Sequence, residues 1–267
     1  MIMTKAQEKV LATMPQTGYQ FNEEVHLHVL DGKPLTGVTT ILGVIAKPAL
    51  IQWSADEAVK YLGWFNEKYT DKEKGLEDLA LHHKGIAGLS VEEFYKMLCE
   101  ARVQHVKRKT AAADIGTDVH AEIEKYVKLM IQDQDGQAMA MNSYDNDQVK
   151  KFVEWAVENK LKFLESEKHV YSRENWYGGI TDLVFLKDGK KFVADIKTSS
   201  GIYGREFFFQ MAGYQIALEE MGEKDFFGST IIRCGKDGSF EVKDSFDLES
   251  DKAGFMAALA LYREINK

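Results

Sequence analysis

The dipeptide Asp188-Gly189 stands between two runs, 179–187 and 190–197, that are rich in β-branched and aromatic residues. Asp-Gly in that setting is the preferred chemistry of a two-residue hairpin turn. The segment therefore predicts an antiparallel β-hairpin with Lys187 opposite Lys190. Because the turn sets the register of a hairpin, every pair further along the two strands follows from this one.

Two carboxylates and an ammonium fall on one face of this hairpin. Counting back from the turn places Asp182 opposite Asp195, and Lys197 is two residues further along the same face. Opposed carboxylates destabilise a hairpin, and charges among Val, Ile and Phe side chains lose hydration. A divalent cation would relieve both costs, and hard carboxylate oxygens suit Mg²⁺ or Mn²⁺. The alternative is a solvated edge hairpin whose charges are incidental.

Length, charge and cysteine content narrow the class of protein. A chain of 267 residues can bury one large core, with or without an insertion. Its net charge of −8 argues against nonspecific coating of nucleic acid, because phosphate binding draws on clustered Lys and Arg. The two cysteines, Cys99 and Cys234, are too few for an iron–sulfur cluster, which needs about four thiolates. With no apolar run near the roughly 20 residues of a membrane span and no signal-peptide pattern, we expect a cytoplasmic protein.

The remaining pattern predicts helices in the first half and a small sheet in the second. A strand and turn are expected over 19–32, and residues 70–90 are charged and irregular. The predicted helices cover 48–65, 91–109, 117–132, 146–164, 205–221 and 249–265. The predicted strands cover 168–174, 179–187, 190–197, 226–233 and 239–243. This order indicates an α+β or mixed α/β fold.

Four short motifs carry a resemblance to a known family. The hairpin holds Gly179-x-x-Asp182 on one strand and Asp195-x-Lys197 on the next, which resembles the PD-(D/E)XK nuclease superfamily. Upstream Gly116-Thr117-x-x-His120 and downstream Gln210-x-x-x-Tyr214 resemble the RecB-like branch, which includes phage-type exonucleases. Asp195 stands where glutamate is more familiar, a change that this branch tolerates. The likeness covers about 115–220.

The resemblance implies a fold. It would be a small central mixed β-sheet flanked by helices, a restriction-endonuclease-like core with an N-terminal mainly helical region. Residues 111–267 would form the PD-(D/E)XK core of a single nuclease domain, 1–267. Residues 1–110 would be its N-terminal strand and helical elaboration.

The resemblance also assigns roles to residues. His120 would bind one or two Mg²⁺ or Mn²⁺ ions together with Asp182, Asp195 and the Ile196 carbonyl. Lys197 would orient or deprotonate the attacking water and stabilise the transition state. For His120 the alternative is a structural or solvated helix histidine.

Gln210 and Tyr214 are four residues apart and so share one face of a helix. In the family this face meets DNA or orients the catalytic lysine, and the alternative is a core-facing tyrosine. Two further carboxylates, Glu167 and Glu174, flank the first predicted strand of the sheet. Either could add an outer carboxylate, and their roles stay open.

The activity that the resemblance implies is metal-dependent hydrolysis of DNA phosphodiesters. An exonuclease acting on DNA ends in recombination, repair or phage DNA processing fits best, in a bacterial or phage-infected cell. A structure-selective endonuclease and a catalytically idle DNA-binding module are the alternatives. The basic run Lys107, Arg108 and Lys109 could bind DNA or be a solvated helix face. Polarity, processivity, a homo-oligomer and a phage recombination or replication partner are left open.

Overall fold

The structure is a computed structural model that describes residues 3–62, 86–133, 146–199 and 201–267. The side chains of 48–49 and 111–117 are outside that description. Most of the stretch predicted to be irregular, 70–90, also lies outside the described residues.

Along the described chain, groups of strands are separated by groups of helices. The helices are α1 Lys5–Leu11, α2 Val38–Ile41, α3 Pro48–Tyr61, α4 Val91–Gln132, α5 Asp147–Glu158, α6 Glu206–Glu220 and α7 Leu248–Ile265, with a 3-10 turn at Leu42–Val44. The strands are β1 Tyr19–Asn22, β2 Leu27–Leu30, β3 Lys33–Gly37, β4 Lys162–Ser172, β5 Tyr177–Lys187, β6 Lys190–Lys197, β7 Phe226–Cys234 and β8 Phe240–Ser245. The predicted mixed α/β class is confirmed.

All eight strands belong to one mixed sheet. The main path runs β1-β2-β3-β5-β6-β7-β8, and β4 pairs with β5. The β3–β5 and β6–β7 pairs are parallel, and the other pairs are antiparallel. Strand β5 changes partner along one edge, because residues 177–178 pair with β3 whereas residues 183–187 pair with β6. The sheet therefore opens beside the residues in between, 179–182.

The hairpin predicted around Asp188-Gly189 is confirmed. Lys187 pairs with Lys190, and the ladder continues in the predicted register to Leu183 opposite Ala194. Both turn residues have positive φ, 52° for Asp188 and 74° for Gly189, as a two-residue turn of this kind requires.

Two buried clusters cover the two faces of the sheet. Val184 packs with the residues of α6 and α7, while its neighbours Leu183 and Phe185 pack with α4 and α5. Since consecutive strand residues point to opposite faces, the sheet is enclosed between a layer of α6 and α7 and a layer of α5 and the end of α4. The predicted site residue Asp182 lies where this sheet opens, within residues 179–182.

Contacts between residues divide the chain into two compact units. One comprises Met1–Ile45 with Asp118–Lys267, and the other comprises Ala46–Thr117. The predicted single domain with an elaboration over 1–110 stays a prediction. Along the described residues, no helix combines the length and the apolar character that crossing a bilayer requires.

Several predicted elements differ from the structure. The one strand predicted within 19–32 is two strands, β1 and β2, and β4 begins at Lys162 instead of 168. One helix of 42 residues, α4, replaces the two predicted over 91–109 and 117–132. Helix α5 ends at Glu158 instead of 164, because Lys160 takes a positive φ of 49° and β4 begins at Lys162. The N-terminal region also contributes three strands, β1, β2 and β3, to the sheet.

Candidate active site

The β5–β6 ladder ends just before the two aspartates that the hairpin was predicted to oppose. Beyond Leu183 and Ala194 the strands part. The Asp182 carboxylate accepts a hydrogen bond from the backbone N–H of Ile196 at 2.7 Å. In a continuing ladder, a backbone carbonyl of β5 would accept that bond. A buried backbone donor needs a partner, so this contact both satisfies β6 and fixes the direction of the Asp182 side chain.

Asp182 belongs to a group of three metal-binding side chains. Each of His120, Glu167 and Asp182 offers one ligand atom, and these atoms all lie within 4.8 Å of one another. The His120 Nδ1 is 3.6 Å from an oxygen of Asp182. Among the residues that the structure describes, this is the one group of three or more such side chains with that spacing. Two carboxylates and one imidazole make a donor set that suits a divalent cation.

Asp195 takes part in a second network, with Lys197 and helix α6. The Lys197 ammonium forms an ion pair with one Asp195 oxygen, and Gln210 Nε2 donates to the other at 2.9 Å. The same Nε2 donates to the Tyr214 hydroxyl oxygen at 2.9 Å, and Lys197 Nζ donates to Gln210 Oε1 at 3.4 Å. Asp195 is only 2% exposed. One amide thus holds the lysine, the carboxylate and the tyrosine together.

Helix α6 can approach β5 this closely because of a glycine. A Cβ added at Gly179 would lie 2.5 Å from the Tyr214 ring, closer than any side chain allows. Tyr214 and Gln210 both lie on the buried face of α6, as the spacing of four predicts. Tyr214 is 4% exposed, so its ring is a core residue as well as a member of the network.

Burial and mutual repulsion shift the acidities of the site. The pKa of Asp182 is raised well above its usual range, first by burial and then by the Asp195 charge. Burial would lower the pKa of Lys197, but the Asp195 and Asp182 carboxylates outweigh it and raise that pKa. The lysine therefore stays an ammonium at neutral pH. Its single positive charge does not balance the two aspartates.

The other titratable groups are shifted chiefly by burial. It lowers the pKa of His120, against the pull of Asp195, and raises the pKa of Glu167 to about 7, with Glu124 adding to the rise. It also raises the pKa of Tyr214 well above its usual range. A neutral imidazole is the form that can bind a metal ion.

The structure brings six of the predicted site residues together in the first unit. They are His120, Asp182, Asp195, Lys197, Gln210 and Tyr214. The backbone of Ile196, also predicted, contacts both Asp182 and His120. Among the described residues, Asp195 is absent from the three-residue metal group, and Glu167 stands in it instead.

Other candidate residues lie elsewhere. Glu174 is exposed in the turn after β4. The predicted DNA-binding residues Lys107, Arg108 and Lys109 belong to the unit Ala46–Thr117. Two of these cations already have acidic partners, since Lys107 pairs with Glu100 and Arg108 pairs with Glu57.

Comparisons with known proteins add little to this geometry. No protein-family model matches the chain, and no curated protein matches it. A solved structure of SSO0001 is similar over 43% of this chain and 56% of that one, with 13% identity and a TM-score of 0.26. A likeness of that extent carries no argument about fold or function.

Proposed function

We propose that this protein is a divalent-metal-dependent deoxyribonuclease with a PD-(D/E)XK site on a restriction-endonuclease-like core. The observation that carries the proposal is the contact network in which Lys197 pairs with Asp195 and reaches Gln210. Asp182, the other strand aspartate, lies beside it with His120. Separate motifs that resemble one nuclease branch thus meet in one place.

His120, Asp182, Asp195 and the Ile196 carbonyl are the proposed metal-binding groups, with Mg²⁺ or Mn²⁺ as the ion. A bound ion would polarise a phosphodiester and lower the pKa of a water molecule. The surplus of carboxylate charge and the raised pKa of Asp182 support a cation here.

Lys197 would act as a fixed positive charge. The two aspartates keep it protonated, so it stabilises negative charge that develops on phosphate oxygens better than it removes a proton from water. Gln210 would position it, because the amide contacts both the lysine and Asp195. Removing one such preorganised electrostatic contact costs roughly 10²–10³ in rate.

DNA ends are the proposed substrate. The resemblance to exonucleases favours ends, and a net charge of −8 opposes lengthwise coating of a duplex. An endonuclease with the same chemistry and an idle DNA-binding module are the competing proposals. An idle module gains nothing from a cluster of buried like charges, which costs stability.

The test compares a covalently closed DNA circle with the same molecule linearised, at equal mass, with Mg²⁺ and with EDTA. Loss of the linear form alone, dependent on Mg²⁺ and absent in Lys197→Ala, would support a metal-dependent exonuclease. Cutting of both forms would establish the endonuclease instead. Binding of DNA without cutting of either form, in Mg²⁺ or Mn²⁺, would leave the idle module as the function.

A further inference from the structure

We propose that Glu167 binds the divalent cation together with Asp182 and His120. This inference rests on the proposed metal-dependent function and adds a ligand that the motif resemblance does not include. It makes strand β4 part of the metal site, beside the two strands of the hairpin.

The backbone of β4 places Glu167 opposite Asp182. On either side, Ser166 pairs with Leu183 and Lys168 pairs with Thr181, so Glu167 and Asp182 face each other in the register between them. Glu167 has a φ of 48°, which a strand interior rarely adopts. Its carboxylate nevertheless reaches the ligand atoms of both His120 and Asp182 within 4.8 Å.

Within the described ranges, no lysine or arginine forms an ion pair with Glu167. The charged groups that face it from neighbouring elements are Asp182 of β5, Glu124 and Lys128 of α4, and Asp195 of β6. Lys128, the one cation among them, forms its ion pair with Glu124. A half-buried carboxylate next to a second carboxylate and an imidazole lacks a positive partner, and a bound cation supplies one.

Asp195 differs from Glu167 in this respect. Its two carboxylate oxygens contact Lys197 and Gln210. Binding a cation through Asp195 would have to compete with the Lys197 ammonium, whereas Glu167 has no ion-paired ammonium among the residues that the structure describes. Glu167 should therefore contribute to the affinity of the free protein for a metal ion at least as much as Asp195 does.

The experiment is calorimetric titration of the full chain with Mn²⁺ in the absence of DNA. Glu167→Gln should weaken Mn²⁺ binding by at least roughly tenfold, as does the loss of a group that supports a metal ligand. Asp182→Asn is the positive control. Glu165→Gln removes the same charge two residues earlier on β4, where the carboxylate pairs with Lys168, and should leave affinity within about twofold of the unaltered protein.

A second variant separates ligation from charge at a distance. Glu124→Gln removes a carboxylate that faces Glu167 from α4. It should weaken Mn²⁺ binding much less than Glu167→Gln, and an equal loss in both would overturn ligation. Thermal unfolding in EDTA shows whether each variant is folded.

A change of metal preference gives a readout that a structural role would not move. Glu167→Cys should shift affinity from Mn²⁺ towards Zn²⁺, because thiolate selects the softer ion. Glu124→Cys should not shift it. Unchanged preference in Glu167→Cys, or unchanged Mn²⁺ affinity in Glu167→Gln with a loss in Asp182→Asn, overturns the inference and leaves the nuclease proposal standing. Absence of Mn²⁺ binding to the unaltered protein overturns it too, and the DNA-cleavage comparison then decides the function separately.

Discussion

The Lys197 ammonium and the Asp195 carboxylate depend on each other energetically. Asp195 is almost fully buried, and Lys197 is its charged partner. Removing one member of such a pair leaves the other charge buried without a partner. That loss destabilises the folded protein by more than the intact pair stabilises it. The same contact that positions the lysine for chemistry is therefore also structural.

We expect Lys197→Ala to lower the free energy of unfolding in EDTA, because it leaves the Asp195 carboxylate buried without its cation. Asp195→Asn should restore part of that loss when combined with Lys197→Ala. Denaturant unfolding of the two single variants and the double variant should give a coupling of roughly 0.5–3 kcal/mol. Strict additivity of the three values would contradict the dependence.

Residue identity alone shows only part of this site. Asp182, Asp195 and Lys197 could be placed on one face from the turn and the strand period. Glu167 could not be placed, because its position depends on its own left-handed backbone in β4 and on the register in which β4 pairs with β5. The Gln210 contacts to Asp195 and Lys197 likewise depend on how α6 packs.

At the scale of elements, the packing of α6 on β5 depends on a backbone without a side chain. Because Gly179 has no side chain, the Tyr214 ring packs directly against the backbone of β5. Because interiors are closely packed, any added atom must displace the ring or the helix. Displacing Tyr214 would also disturb Gln210, which donates to its hydroxyl.

We expect Gly179→Ala to destabilise the protein by about 1–3 kcal/mol, as overpacking does. It should also lower the rate of DNA cleavage by moving Gln210. The measurements are thermal unfolding and cleavage at saturating DNA. Gly189→Ala is the control, since its positive φ also strains the backbone but its added Cβ meets nothing within 4 Å at the far end of the hairpin. A cleavage rate that falls equally in both variants would contradict the coupling through Tyr214.

The β1–β3 meander contains a buried histidine that makes it sensitive to acid. The His28 Nδ1 and the Tyr19 hydroxyl are joined by a hydrogen bond of 2.7 Å. Burial, together with the neighbouring His26 and His169, lowers the pKa of His28 to about 4. The unfolded chain binds a proton at His28 near pH 6.5, whereas the folded chain does so only near pH 4.

The contribution of neutral His28 to the free energy of unfolding should therefore be fully present above about pH 6.5. It should be lost as the pH falls towards 4. The change should be on the order of 3 kcal/mol, since each unit of pKa is worth about 1.4 kcal/mol. Urea unfolding at pH 7 and pH 5 should show a smaller decrease in His28→Gln than in the unaltered protein. Equal decreases would show that other groups cause the acid sensitivity.

Elements differed in how well the sequence predicted them. The hairpin was predictable because a two-residue turn and a strand period determine it locally. The single helix α4 was not, because the apolar pattern is interrupted between 109 and 117 while the backbone stays helical. The end of α5 depended on a left-handed residue, Lys160, which ordinary propensity does not indicate.

At the scale of the whole molecule, negative charge predominates and the basic run is partly neutralised. Arg108 pairs with Glu57, which is 2% exposed, and Lys107 pairs with Glu100. Arg108 thus compensates a buried carboxylate, so removing it would test folding as much as DNA binding. Lys107 and Lys109 are the better residues with which to test the proposed DNA contact.

We expect Lys107→Ala with Lys109→Ala to weaken DNA binding about equally across sequences. The plot of log affinity against log salt should flatten by about 0.9 for each phosphate that the double variant no longer neutralises. Lys96→Ala, on the same helix and paired with Glu92, is the matched control and should leave the slope unchanged. An unchanged slope in the double variant would mean that this run is a solvated helix face.

The two-residue turn at Asp188-Gly189 also bears on the order of folding. Its strands meet through contacts that are close in sequence, whereas the parallel β3–β5 and β6–β7 pairs must close much longer loops. Local contacts form with less entropic cost, so the hairpin can form ahead of the sheet around it. Two like charges would then be brought together early, before any helix covers them. Lys197 belongs to the same hairpin, so its ammonium can pair with the Asp195 carboxylate as soon as the hairpin forms.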